Sequence, residues 1–268
     1  MHGLGNDFVV IDAINQAVVL TAQSIKELAD RHYGVGFDQL LVVKQTTGDA
    51  DFRYVIYNAD GSEVSQCGNG ARCFALFVRQ KGLTDKRTIT VETGAGELVL
   101  NINEQNDVTV DMGEPQFLPE KIPLLAEREQ PTYSVDIANN AIEFSALSMG
   151  NPHAVIQVDS LDSAPVGAVG AAMESHDIFP QRANIGFSQT INPSNIALRV
   201  YERGAGETLA CGSGACAAVV AGIERGELHS PVTVQLTGEK LSIAWQGRGH
   251  PVIMAGAATF VFDGMIEL

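Results

Sequence analysis

The 268-residue sequence is poor in aromatic residues and has no long hydrophobic run. Aromatic side chains make up 6% of the chain, and no apolar stretch approaches the roughly 18 residues that a membrane helix needs. The N-terminus also lacks the basic stretch and apolar core that form a secretory signal. We therefore expect a soluble, cytoplasmic protein with no membrane partner.

Basic residues are scarce as well, with 17 Lys and Arg against 32 Asp and Glu, for a formal net charge of −15 at pH 7. Because binding to a phosphate backbone depends mainly on Lys and Arg, no nucleic-acid partner is expected. Hydrophobic residues make up 45% of the chain. That content is sufficient for a substantial core, in one large domain or in two of ordinary size.

Cysteine occurs only four times, at Cys67, Cys73, Cys211 and Cys216. A disulfide scaffold has a higher density of cysteine and is usually shorter, so thiols are expected here. The Cys-x5-Cys and Cys-x4-Cys spacings lack the tight Cys-x2-Cys knuckle that is common in zinc sites, so no metal is expected. Neither glycine cluster completes the dinucleotide-binding pattern G-x-G-x-x-G, and no cofactor is expected.

The sequence does contain one plan twice. Two near copies of a Cys-Gly-x-Gly-Ala motif occur, and further matches follow in the same order. The matching pairs are Asn6 with Asn151, residues 35–39 with 185–189, Tyr57 with Tyr201, and Cys67 with Cys211, at offsets of 145, 150, 144 and 144. A nearly constant offset of this length predicts two homologous domains.

Four of the ten prolines lie between Gly113 and Pro131. Because such a density of proline breaks both helices and sheet ladders, we place the crossover between the domains there. The expected domains are residues 1–113 and residues 114–256.

Short β-branched or alternating runs predict many strands in each half. In the first half they are residues 8–12, 40–43, 52–57, 88–91, 97–102 and 108–111. Helices are predicted from a capping box at Ser24 through Ala29, over 71–81 and over 215–225. The helices after the cysteines carry little charge, which predicts that each half is a bent or barrel-like sheet around a central helix.

Cys67 and Cys211 each come just before one of these helices. A single cysteine is most often a small buried hydrophobe, but helix N-terminal amides stabilise a thiolate, and glycines leave those amides uncovered for an anion. We therefore predict two reactive thiols, with Cys73 and Cys216 as packing residues. The backbone amides of Gly68, Asn69, Gly212 and Ser213 are candidates for holding a carboxylate.

Two equivalent thiols on opposite faces of one ligand suit the inversion of a stereocentre. One thiolate removes a proton, the other thiol delivers one, and the pair titrates as a coupled unit. Other polar signals lie close by, and each also has an ordinary explanation. Asn58 and Glu202, near the ends of equivalent strands, and His153 are compatible with turn chemistry, and Arg203 with a surface ion pair.

In combination, four segments closely resemble the diaminopimelate epimerase family. The segments are residues 1–8, 58–72, 150–153 and 201–215. The resemblance implies a cofactor-independent epimerase that interconverts LL- and meso-2,6-diaminopimelate in lysine and peptidoglycan precursor synthesis. It also implies a homodimer with an α/β fold of two pseudo-symmetric domains, each a sheet around a central helix, the first completed by residues 257–268.

The resemblance further implies a role for each matching residue. Cys67 and Cys211 would be the acid/base pair, assisted by His153 and Glu202. The substrate site would include Asn6, Gln39, Asn58, Asn151, Asn184 and Arg203, with Arg203 as a partner for the distal carboxylate. Two alternatives are a related racemase acting on proline derivatives and a metal or redox protein that uses all four thiols.

Overall fold

The computed structural model describes residues 1–64 and 67–266. The chain divides into two compact units. The first is Met1–Asp111 together with the C-terminal segment from Ala255, and the second is Met112–Met254. The units meet after residues 111 and 254, in each case two residues before the predicted boundaries after residues 113 and 256.

The first unit is a mixed sheet with two helices. Its strands are β1 (His2–Gly3), β2 (Asn6–Asp12), β3 (Gln39–Lys44), β4 (Phe52–Asn58), β5 (Glu63–Val64), β6 (Thr88–Thr93), β7 (Gly96–Ile102) and β8 (Val108–Asp111), and its helices are α1 (Ala22–Ala29) and α2 (Gly68–Gln80). Strand β2 pairs parallel with β3, β3 antiparallel with β4, and β4 parallel with β6. Strands β6, β7 and β8 form an antiparallel meander.

The second unit repeats this plan. Its strands are β9 (Tyr133–Ile137), β10 (Asn140–Ser148), β11 (Pro152–Gln157), β12 (Asn184–Asn192), β13 (Asn195–Glu202), β14 (Gly206–Thr208), β15 (Val232–Gln235) and β16 (Lys240–Ala244), its helices are α3 (Val166–Glu174) and α4 (Gly212–Glu224), and β17 (Ile253–Gly256) follows. Strand β11 pairs parallel with β12, β12 antiparallel with β13, β13 parallel with β15, and β15 antiparallel with β16. In the first unit, β2, β3, β4, β6 and β7 pair with the same sequence of parallel and antiparallel directions.

Strand register corrects one of the predicted repeat matches. Phe8 lies opposite Gln39 in the first unit, and His153 lies opposite Asn184 in the second. Gln39 is therefore equivalent to Asn184, at an offset of 145 rather than 150. The predicted match of residues 35–39 with 185–189 is wrong, because 185–189 lies inside β12 at the level of 40–44.

Each unit encloses one helix, as the low charge of the two segments predicted. Helix α2 packs against β1, β2, β3, β7 and β8, and residues from Asn69 to Val78 are buried. Helix α4 packs against strands of its own unit, including β11, β12 and β16, and is buried from Gly214 to Gly222. The predicted α/β class with a sheet around a central helix in each half is confirmed.

Helix ends differ from the predictions. Helices α2 and α4 begin at Gly68 and Gly212, three residues earlier than predicted, because each starts directly after its cysteine. The capping box of α1 is formed by Thr21 and Ser24 rather than by Ser24 and Glu27. Helix α3 has no predicted counterpart. None of the helices in the described ranges is long and apolar enough to cross a membrane.

Candidate active-site residues

Cys67 is the N-cap residue of α2. Its backbone is extended, with φ −146° and ψ 116°, and its Sγ accepts a hydrogen bond from the Gly70 N–H at 3.4 Å. The side chain is half-buried. The first turn of α2 contains no acidic residue, so no carboxylate competes for the helix amides. A partly exposed sulfur at a helix N-terminus is an environment that stabilises a thiolate.

A buried phenol supports this helix start. The Tyr54 Oη donates to the Cys67 carbonyl oxygen at 3.4 Å. Burial, and then the nearby Cys67 and Cys73, raise the pKa of Tyr54 well above its usual value, so the hydroxyl is a neutral donor. A Cβ atom at Gly70 would lie 2.3 Å from the Tyr54 Oη. Glycine is therefore required at this position of the motif by the close approach of the tyrosine.

The side chain of Asn69 is engaged within its own unit. It is buried, and its Oδ1 accepts a hydrogen bond from the Arg72 Nη2 at 3.0 Å. Arg72 is itself fully buried, and its Nε donates to the Ala257 carbonyl oxygen at 3.2 Å. The predicted ligand contact at Asn69 is the backbone N–H and not the side chain. That N–H lies in the first turn of α2, next to Gly68, and the pairing of the side chain with Arg72 does not involve it.

Three predicted side-chain amides meet at one edge of the first sheet. Because β2 and β3 are parallel and β4 runs against them, the starts of β2 and β3 and the end of β4 lie at the same edge. The Gln39 Nε2 donates to the Asn58 Oδ1 at 2.9 Å. The Asn6 Nδ2 donates to the Asp38 Oδ2 at 3.0 Å, and the Arg31 guanidinium holds Asp38 in turn.

Cys211 occupies the equivalent N-cap position of α4, but its surroundings differ. The side chain is 5% exposed, and its Sγ lies 3.6 Å from the Ser213 Oγ. Burial, then the charge and the hydrogen bond of Glu202, raise the pKa of Cys211 well above its usual value, against the opposing effects of Ser213 and the Gly214 amide. Cys211 is therefore a protonated thiol at neutral pH.

Glu202 ends strand β13, and the hairpin from β13 to β14 holds its carboxylate. The Thr208 Oγ1 donates to the Glu202 Oε1 at 2.5 Å. Thr208 lies in β14, whose register places Gly206 opposite Glu202. The hairpin thus fixes the carboxylate beside the Cys211 thiol.

His153 reaches the same thiol through two side chains. Its Nε2 lies 2.9 Å from the Asn151 Oδ1, the Asn151 Nδ2 donates to the Ser213 Oγ at 3.5 Å, and Ser213 contacts the Cys211 sulfur. Burial, and then the Arg203 charge, lower the pKa of His153 to about 3. The imidazole is therefore neutral, and its Nε2–H is the donor to Asn151.

Asn184 fixes the backbone around Arg203. Its Nδ2 donates to the Pro152 carbonyl oxygen at 3.1 Å, and its Oδ1 accepts from the Arg203 backbone N–H at 3.0 Å. The Arg203 Nη1 donates to the Gln181 carbonyl oxygen at 3.1 Å. The Asn184 side chain is 3% exposed. It links β11 to the turn that follows β13 in the interior of the unit.

The predicted residues are divided between the two units. The first unit holds Asn6, Gln39, Asn58, Cys67, Gly68 and Asn69, and the second holds Asn151, His153, Asn184, Glu202, Arg203, Cys211, Gly212 and Ser213. The prediction missed the supporting residues Asp38, Tyr54 and Thr208. Asp38 and Thr208 lie within the segments 35–39 and 201–215 that the sequence analysis singled out, which was a usable signal, whereas Tyr54 has the pattern of an ordinary strand residue.

The alternative of a metal protein requires a cluster of ligating side chains, and the described part of the chain shows none. Within residues 1–64 and 67–266, no group of three or more His, Cys, Asp or Glu side chains could hold a metal ion. No disulfide links Cys67, Cys73, Cys211 or Cys216. Cys73 and Cys216 are fully buried within α2 and α4, in agreement with the packing role predicted for them.

Solved structures of several other proteins share this fold. A phenazine biosynthesis protein of the PhzF family from Bacillus anthracis matches with a TM-score of 0.65 and 18% identity over 99% of this chain and 95% of its own. A hydroxyproline epimerase from Agrobacterium vitis matches with a TM-score of 0.65 and 14% identity, covering 95% of this chain and 87% of its own. At these identities the likeness defines the fold alone.

The family is defined by sequence. The profile of the family described as diaminopimelate epimerase matches residues 1–118 and 145–261. A diaminopimelate epimerase from Nitrosospira multiformis is 55% identical over all 268 residues of this chain and 97% of its own length. The chain belongs to the diaminopimelate epimerase family, as the motifs predicted, and is therefore an isomerase.

Proposed function

We propose that this protein interconverts LL- and meso-2,6-diaminopimelate without a cofactor, in the synthesis of lysine and peptidoglycan precursors. The observation that carries the proposal is the pair of thiols at equivalent N-caps, Cys67 on α2 and Cys211 on α4. Family membership supplies the substrate, and the two N-caps supply a proton acceptor and a proton donor of the same chemical kind.

The different surroundings of the two sulfurs support a division of labour. In one direction the Cys67 thiolate, favoured by its helix amides, takes the α-proton and leaves the electron pair on the α-carbon. The Cys211 thiol, kept protonated by burial and Glu202, gives its proton to that carbon from the other face. Cys67 ends as a thiol and Cys211 as a thiolate, and the roles exchange in the reverse direction.

The carbanion needs stabilisation because no electron sink takes part. We assign this role to the first-turn amides of α2 and α4, at Gly68, Asn69, Gly212 and Ser213, which would bind the α-carboxylate as charge flows into it. His153 acts through Asn151 and Ser213 to orient the Cys211 thiol. Arg203 would hold the distal carboxylate of the substrate.

The test is proton exchange with LL-diaminopimelate in deuterated water. The wild-type protein should place deuterium at one α-carbon and yield a mixture with the meso form. Cys67→Ser and Cys211→Ser should abolish epimerisation, while one-sided proton abstraction partly survives. Cys216→Ala, which removes a buried thiol of α4 outside the proposed chemistry, is the matched control and should retain activity.

Two results would contradict the proposal. One is the absence of exchange by reduced, folded wild-type protein, and the other is full epimerisation by either serine variant. Proline and hydroxyproline serve as control substrates, because a racemase of proline derivatives would not require a second carboxylate. We also propose a cytoplasmic homodimer, which light scattering at several protein concentrations tests for assembly.

A further inference from the structure

A tight turn after β4 begins a chain of hydrogen bonds with a defined polarity. The Asp60 Oδ1 accepts from both the backbone N–H of Ser62 at 2.9 Å and the Ser62 Oγ at 2.5 Å. These two hydrogen bonds lower the pKa of Asp60, so the group is a carboxylate at neutral pH and only accepts. The single hydroxyl proton of Ser62 is thereby committed to Asp60.

This commitment determines how the next two amides are oriented. With its proton committed, the Ser62 Oγ accepts from the Asn58 Nδ2 at 3.1 Å. Asn58 must then turn its Oδ1 toward Gln39, and that oxygen accepts from the Gln39 Nε2 at 2.9 Å. The backbone closes the same turn, since the Asn58 N–H donates to the Ser62 carbonyl oxygen at 2.9 Å.

The chain ends at the Gln39 Oε1. This oxygen is buried, and no residue in the ranges 1–64 and 67–266 donates a hydrogen bond to it. Buried carbonyl oxygens nearly always have a donor, so an open one at a candidate site calls for an explanation. At the equivalent position of the second unit, the Asn184 Oδ1 receives the Arg203 backbone N–H. Among the described residues, the Asn184 oxygen of the second unit therefore has a donor within its own unit, whereas the equivalent Gln39 oxygen of the first unit has none.

We infer that Asp60 and Ser62 are positioning residues, which hold the Gln39 amide with its Oε1 presented as the acceptor for an ammonium group of the substrate. The inference rests on the proposed function, because diaminopimelate carries two ammonium groups and each is a donor only. If the amide turned over, its NH2 group would face the ammonium and two donors would oppose each other. The polarity of the whole series of hydrogen bonds thus originates at the Asp60 carboxylate.

The central test is Ser62→Ala, compared with Ser62→Thr. Alanine removes the acceptor that orients Asn58, so both orientations of the amide pair become populated and the binding-competent fraction falls. Apparent affinity falls with that fraction, and we expect the KM for LL-diaminopimelate to rise about fivefold with kcat within twofold of wild type. Threonine keeps the hydroxyl and should restore KM. An exposed serine in another turn, Ser163→Ala, is the matched control.

A double-mutant cycle asks whether Ser62 acts through Gln39. Gln39→Leu should lower kcat/KM at least about tenfold, since a hydrogen bond to a charged group is lost. In that background Ser62→Ala should have a smaller effect than in the wild type, because the Gln39 amide that Ser62 orients through Asn58 is gone. Asp60→Ala offers a second route, since the freed Ser62 proton can then turn the pair over, and it should raise KM in the same way.

The inference is overturned if Ser62→Ala and Asp60→Ala both leave KM unchanged. It is also overturned if Ser62→Ala has the same cost with Gln39 and with Leu at position 39. A merely structural role predicts a lower active fraction, which would reduce kcat and leave KM in place. Failure of the proposed function is a separate result, because the wild-type protein would then not epimerise diaminopimelate at all.

Discussion

Gly70→Ala is expected to inactivate the protein by moving the start of α2. The added Cβ would lie 2.3 Å from the Tyr54 Oη, 3.2 Å from the Leu41 Cδ2 and 3.4 Å from the Phe8 Cε1. Since Cβ atoms do not approach other heavy atoms closer than 3.0 Å, helix and phenol must separate by at least the difference of 0.7 Å. Tyr54 is fully buried and cannot swing into solvent, so the helix start and Cys67 take up part of the shift.

The magnitude follows from two opposing effects on stability and from one on geometry. Overpacking costs about 1–3 kcal/mol, and replacing glycine by alanine within a helix returns up to about 1 kcal/mol. The net loss therefore lies between zero and about 3 kcal/mol, and its midpoint of about 1.5 kcal/mol should lower Tm by several degrees in a chain of this size. Displacement of a reacting group by about 1 Å can cost a factor of about 100 in rate, so we expect kcat to fall by that order.

Tyr54→Phe should rescue the variant, because it removes the atom that the new Cβ meets. In the double variant the nearest contact is Leu41 at 3.2 Å, which requires only a few tenths of an ångström. The assays are deuterium exchange into LL-diaminopimelate and thermal unfolding, applied to the wild type, the two single variants and the double variant. Gly214→Ala is the comparison in the second unit, where a Cβ would lie 3.1 Å from the Val200 Cγ2, 3.2 Å from the Cys211 Cβ and 3.3 Å from the Cys211 Sγ. None of these contacts falls below 3.0 Å, so this variant should lose less stability than Gly70→Ala.

The reasoning is refuted if Gly70→Ala with Tyr54→Phe is no more active and no more stable than Gly70→Ala alone. It also fails if Gly214→Ala lowers Tm more than Gly70→Ala does. Tyr54→Phe by itself removes the donor to the Cys67 carbonyl oxygen and should cost about 1 kcal/mol.

Three further predictions concern protonation and burial. Iodoacetamide should modify the half-buried Cys67 before the buried, protonated Cys211, as peptide mass spectrometry would show; equal rates would contradict the assignment. Burial and then a nearby guanidinium lower the pKa of His153 from 6.5 to about 3, so the unfolded state binds the extra proton and stability falls as pH drops from 6.5 toward 3. His153→Gln should flatten that dependence of Tm on pH, and an unchanged slope would count against it. Arg72→Leu leaves the buried Asn69 Oδ1 without this donor and should lower Tm by several degrees, in contrast to an unchanged Tm if the pair contributes nothing.

The strands of the first half were predictable because their alternation reports which face is buried. Each predicted run overlaps an observed strand, and β8 coincides with the predicted residues 108–111. The first residues of α2 and α4 were harder to predict. The glycines after Cys67 and Cys211 have low helix propensity, and packing inside the sheet overrides that preference. The match of residues 35–39 with 185–189 failed because similar letters fell at different levels of the strands, and only pairing register defines equivalence.

Side-chain partners were the least predictable part of the site. The family resemblance placed Asn184 in the substrate site, yet its side chain is hydrogen-bonded to the Pro152 carbonyl oxygen and the Arg203 backbone N–H of its own unit. An amide side chain donates and accepts equally well, so its use depends on which neighbours the fold supplies. Those neighbours are far apart in sequence for Asn184, which is hydrogen-bonded to residues 32 and 19 positions away.

The two cysteines illustrate how one repeated fold can hold a donor and an acceptor at once. Inversion of a stereocentre requires two groups of similar chemistry in different protonation states. Duplication places both sulfurs at the same backbone position, an N-cap after a short hairpin, and their neighbours then separate them. The Gly70 amide donates to the Cys67 sulfur and the Gly214 amide favours the Cys211 thiolate, but burial and the Glu202 carboxylate oppose ionisation of Cys211. Burial contributes most to the raised pKa of Cys211 and Glu202 comes next, so Glu202→Gln should bring that pKa closer to its usual value without removing the effect of burial. The rate at which iodoacetamide alkylates Cys211 should therefore rise, and an unchanged rate would contradict the assignment.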